Sequence, residues 1–129
     1  MKNLIFLKRK NKNKNYKVLD SFDVTIFIDS FMGYESFARG NLVASISARA
    51  KTLRLKNANF ADNSLPPDGF FWTNKKDKNS VNKILNNVLK TNYNSWNKLK
   101  KRYSDKVMAY DENNKIFKNL INKILNSNY

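Results

Sequence analysis

The chain has 129 residues and a formal charge of +15, from 25 Lys and Arg against 10 Asp and Glu, and this length supports one modest hydrophobic core. It contains no Cys and no His, which excludes disulfides, thiol nucleophiles, Ser-His-Asp triads and the usual zinc sites, so neither an enzyme nor a cofactor is expected. The apolar runs fall far short of the roughly 18 residues a membrane span needs, and Leu4 to Leu7 is too short for a signal peptide, so the protein is expected to be soluble and not secreted.

The chain opens basic, with seven Lys and Arg and no acid between Met1 and Leu19. Lys8, Arg9, Lys10, Lys12, Lys14 and Lys17 alternate with Asn and Tyr, and nothing from Lys8 to Asn15 can be buried to offset the entropy of ordering. Residues 1–17 therefore read as a disordered basic extension and 18–129 as a single small domain. The next stretch alternates Phe22, Val24, Ile26 and Ile28 with Asp23, Thr25, Phe27 and Asp29, a period of two that predicts a strand over 18–31, ended by Gly33.

Four acids, Asp20, Asp23, Asp29 and Glu35, fall in this stretch without a base among them. Clustered carboxylates can hold two metal ions, but Asp23 and Asp29 on one strand face lie about 20 Å apart at about 3.3 Å per residue, too far to share a metal pair. They read as a solvated strand face, with no metal site.

Residues 42–56 are ambiguous. As a helix after Asn41 they place Leu42, Val43, Ile46, Ala50 and Leu53 on one face, and that reading is preferred; as a strand they would supply the partner the first strand lacks. Residues 57–78 read as a loop whose Pro-Pro-Asp-Gly turn presents Phe70, Phe71 and Trp72, expected to fill a core or a protein interface rather than to stack on bases. Ser80 then starts a helix with Val81, Ile84, Leu85, Val88 and Leu89, and the phase runs on through Trp96, Leu99, Tyr103 and Val107. One long helix, or two broken near Thr91 and Asn92, satisfies it. Asp111 to Asn114 turn the chain into a last helix with Ile116, Phe117, Leu120, Ile121, Ile124 and Leu125 on one face. The fold class is α+β and mostly helical: an N-terminal strand or hairpin, a central helix or strand, a C-terminal helical hairpin and the basic tail.

The remaining charge is blocked. Arg39, Arg49, Lys51, Arg54 and Lys56 follow one another without an acid, and Lys98, Lys101, Arg102 and Lys106 lie at helical spacings opposite Leu99, Tyr103 and Val107. No glycine-rich phosphate loop, RRM signature or KH motif accompanies them. Together with the tail they predict phosphate contacts without sequence reading. An excess of Asn and Lys suits an A/T-rich genome. The expectation is a structural ribosomal protein of an organelle or bacterium, in the mitochondrial matrix or a cytoplasmic ribosome. Its partners would be RNA, above all rRNA, and neighbouring proteins docked on the strand at 18–31 and the loop at 65–73. A phage or mobile-element protein acting on nucleic acid or its enzymes, and an accessory subunit of an organellar membrane complex, are the alternatives.

Overall fold

The strand that needed a partner finds two within its own chain. In the computed structural model, which describes residues 12–55 and 59–127, three short strands form a parallel sheet in the order β1 (Thr25–Phe27), β2 (Val43–Ile46), β3 (Trp72–Thr73). Thr25, Ile26 and Phe27 face Val43, Ala44 and Ser45 in register, and Ser45 and Ile46 face Trp72 and Thr73. Around the sheet lie α1 (Lys12–Leu19), α2 (Phe31–Arg39), α3 (Arg49–Leu53), α4 (Lys78–Leu89), α5 (Tyr93–Tyr103) and α6 (Lys115–Asn126). The α+β, mostly helical class holds. Of the basic extension expected to be disordered over 1–17, residues 1–11 lie outside the described residues and 12–17 belong to α1.

Several extents are corrected. The strand predicted over 18–31 shrinks to Thr25–Phe27, because Val18 and Leu19 finish α1 and the amides of Ser21 and Phe22 turn back onto their carbonyls. Alternation marks residues that can be extended, whereas a strand lasts only as long as its partner. The segment 42–56 divides into β2 and the short α3, so the preferred helix and the alternative strand each take part of it. Pairing is parallel rather than a hairpin because α2 carries the chain back between β1 and β2.

That helix was missed from sequence. Its start is marked by Ser30 and its end by Gly40 at φ 100°, where the amides of Gly40 and Asn41 bond back to Phe37 and Ser36. Gly33 is on its packed side: a β-carbon there would lie 2.1 Å from Cγ of Phe27, so only glycine lets the ring rest against the helix. Farther on, α4 starts on an Asp77 carboxylate that accepts from the Ser80 amide, and α5 on an Asn92 side chain that accepts from Ser95. Asn92 is the break that the hydrophobic phase could not decide.

The core is aromatic. Phe71 packs on Phe37, Phe60, Trp72 and Trp96 with ring centroids 4.9 to 5.8 Å apart, and all five are essentially fully buried. Each indole N–H is satisfied by a carbonyl, Trp72 by Pro66 at 2.8 Å and Trp96 by Gly40 at 3.0 Å. The turn before Phe71 thus folds onto its own chain. Phe71 and Trp72 are consumed internally, while β1 pairs with β2 on one side and forms the edge of the sheet on the other. Among the described residues no helix is long and apolar enough to cross a membrane.

Candidate functional site

In a parallel sheet the residues that follow the carboxyl ends of adjacent strands emerge side by side on the same end of the sheet. Here the loop after β1 carries Asp29 and the loop after β2 carries Ser47 and Arg49. The Ser47 hydroxyl donates to one oxygen of Asp29 at 2.7 Å and the Arg49 guanidinium pairs with the other at 3.0 Å. The backbone amide of Ser47 is held in turn by the Thr73 carbonyl at 2.9 Å, which ties the arrangement to β3.

Asp29 and Arg49 border a cleft of about 420 Å³. Its walls include Phe31 and Tyr34 of α2, Ala61 and Asp62 of the loop before β3, and Lys106 with Met108 after α5. Phe31, the first residue of α2, is 79% exposed, and Ser30 before it makes no side-chain cap to the helix amides. Tyr34 stacks on Phe60 and accepts a hydrogen bond from the Ala61 amide at 3.3 Å. Burial raises the pKa of its hydroxyl above the ordinary tyrosine value, and Asp29 and Asp62 push the same way, so the ring stays neutral. Ala61 and Asp62 both adopt positive φ, 53° and 48°, in residues that carry a β-carbon. Consecutive left-handed residues of this kind are costly and gather where a wall must be held in a particular shape.

The acids of the first half are therefore not a solvated strand face. Asp20 is gripped by the Arg39 guanidinium through two hydrogen bonds and by the Asn41 amide at 2.9 Å, which keeps its carboxyl below the usual range. Glu35 accepts from the Tyr16 hydroxyl at 2.7 Å and raises that phenol. Three of the four have partners, Asp20 and Glu35 in one cluster joined through Arg39 over Tyr16, and Asp29 apart from them with Ser47 and Arg49.

Of the basic residues expected to bind RNA, the structure gathers few. Arg49 and Lys106 share the cleft; Arg39 is committed to Asp20 and lies over the Tyr16 ring. Lys98 and Arg102 line a second, shallower groove between α4 and α5 together with Lys90. Lys51 is on α3, Arg54 ends it, Lys101 is on α5, and all three side chains are exposed, as is Lys17 near the end of α1. Lys12 and Lys14 belong to α1, while Lys8, Arg9, Lys10 and Lys56 lie outside the described residues. Sequence reasoning missed Ser47, Tyr34 and the role of Asp29. The available signal was a pair of strand-to-loop junctions ending in Asp-Ser and Ser-Ala-Arg, which acquires meaning only once the strands are known to be parallel neighbours.

A protein-family model described as "putative O-antigen biosynthesis protein" matches residues 1–125. The chain belongs to that family. No curated protein and no solved structure matches it. Membership of an O-antigen biosynthesis family overturns the ribosomal, RNA-binding assignment, and none of the function classes expected from sequence is the one to which the family points. The physical source of the error is plain: a large positive charge states that the partner is anionic, and rRNA is only one class of polyanion.

Proposed function

We propose that the chain recognises a phosphate-activated sugar in O-antigen biosynthesis, seated in the cleft at the carboxyl ends of β1 and β2. Polysaccharide assembly consumes sugars carried on phosphate or diphosphate esters, and such a ligand asks for a cation for the phosphate, acceptors for sugar hydroxyls and a flat apolar surface for a ring. Arg49 and Lys106 provide the charge, Asp29 the acceptor, and Phe31 beside Tyr34 the surface. The observation that carries the reading is the meeting of Asp29, Ser47 and Arg49 just past the carboxyl ends of two adjacent parallel strands, beside the cleft that Asp29 and Arg49 line. Family membership supplies the pathway. Recognition, not bond chemistry, is the role assigned to the cleft.

Thermal unfolding in the presence of UDP-, dTDP-, GDP- and CMP-linked sugars tests this. A ligand at about ten times its Kd stabilises the native state by about 1.4 kcal/mol. One of these sugar nucleotides is expected to raise the melting temperature, and Arg49→Ala is expected to abolish the rise while leaving the unliganded protein folded. If none raises it, or the variant responds like the parent, the cleft is not a sugar-phosphate site.

A further inference from the structure

The last helix has an apolar face that the other described residues do not cover. In α6, Ile116, Phe117, Leu120, Ile121, Ile124 and Leu125 remain 38 to 65% exposed, and none of its residues is buried. At 100° per residue these six span about half of the helix circumference. The other half is Lys115, Lys118, Asn119, Asn122, Lys123 and Asn126, without an acid. Lys118 and Lys123 fall at the two margins of the apolar sector, where a long aliphatic stem can lie along an apolar phase with its ammonium group outside.

The helix is nevertheless anchored at its start. Both oxygens of Asp111 accept from its first turn, from Ile116 at 3.0 Å and Phe117 at 3.1 Å. A helix of 12 residues without packing is marginal in water, so α6 lacks a surface to lie on. At about 1.5 Å per residue it is about 18 Å long, too short to span a bilayer and suited to lie in its interface. A second copy of the chain is a poor cover, since pairing would bring two bodies of charge +15 together along lysine-edged seams. An anionic bilayer meets both demands, apolar below the face and negative at its margins.

We propose that α6 is a membrane-surface helix that docks the protein on anionic lipid. The inference rests on α6 alone and is independent of the ligand assigned to the cleft. Co-sedimentation with vesicles of phosphatidylcholine containing about 30% phosphatidylglycerol, against vesicles of phosphatidylcholine alone, tests it. Binding is expected only to the anionic vesicles. Leu120→Gln with Ile124→Gln should cut it at least about tenfold, and Lys118→Gln and Lys123→Gln about fivefold each at low salt. The near-UV circular dichroism of the buried tryptophans should stay unchanged in all of these variants. Absence of binding to the anionic vesicles overturns the proposal, as does equal binding to both kinds. Binding that survives the Leu120 and Ile124 changes overturns it too, and so does a dimer that these changes dissociate in a protein that ignores vesicles.

Discussion

The aromatic core and the face of α6 are both built of large apolar side chains, and they end in opposite surroundings. Phe37, Phe60, Phe71, Trp72 and Trp96 lose nearly all their exposure, whereas Ile116, Phe117 and Leu125 each keep more than half of theirs. The cause lies in what each segment can reach. Parallel pairing brings β1, β2 and β3 side by side, and α2, α4 and α5 close over them. By contrast α6 leaves through the capped turn at Asp111 and returns to none of these elements as a packed layer. Periodicity says that a face will be covered; topology decides by what.

The largest expected effects separate the two regions directly. Phe71→Ala removes a fully buried ring that touches five other aromatics and should cost about 3 to 5 kcal/mol, a large part of the stability of a domain this size. Ile124→Ala or Leu125→Ala, measured without lipid, should stay within about 0.5 kcal/mol. Urea denaturation followed by far-ultraviolet circular dichroism measures both. Comparable losses in the two regions would mean that α6 is packed on the body after all, and the contrast would vanish.

A smaller effect probes how the core was closed. Gly33→Ala gains about 0.8 to 1.0 kcal/mol of helix propensity, but its methyl would be driven into the Phe27 ring, and overpacking of this kind costs about 1 to 3 kcal/mol. A net loss of stability is expected. Combining it with Phe27→Leu, which withdraws the ring, should recover part of that loss. Independent, additive losses in the double variant would show that the close approach of α2 to β1 is not what selects glycine at this position.

Much of this contrast was legible in the sequence and its outcome was not. The existence of helices after the 57–78 loop and after Asn114, the apolar faces of α4, α5 and α6, and the burial of Phe71 and Trp72 follow from spacing and turn chemistry, although α4 starts at Lys78 on an Asp77 cap and not at Ser80. Parallel pairing does not, because it depends on contacts between Thr25 and Val43 and between Ser45 and Trp72 that no local window contains. The helix α2 was masked by the β-like run before it, so Phe31 read as the end of a strand instead of a first helical turn. The cleft inherits both losses: Asp29 reads as solvated until β2 brings Ser47 and Arg49 to it. Charge was visible throughout but named the sign of the partner and not its class.

The smallest effect concerns α1, which is held to the body by polar groups where the core elements are held by rings. Arg39 pairs with Asp20 while lying over Tyr16, and Tyr16 bonds Glu35. Arg39 holds the Asp20 carboxyl below its ordinary pKa against the opposing push of burial, and Asn41 adds a smaller pull in the same direction as Arg39. A group whose folded pKa is depressed adds stability above its unfolded value, about 3.9, and loses it as pH falls through the folded one. The two side chains are 31% and 34% exposed, so solvent screening keeps the pair at or below about 1 kcal/mol. Arg39→Ala should therefore lower the urea midpoint slightly at pH 7, and its difference from the parent should close as the pH falls through the lowered pKa of the Asp20 carboxyl. A difference that persists unchanged in acid would assign the effect of Arg39 to packing over Tyr16 instead of its charge, leaving α1 held by ring contact like the core.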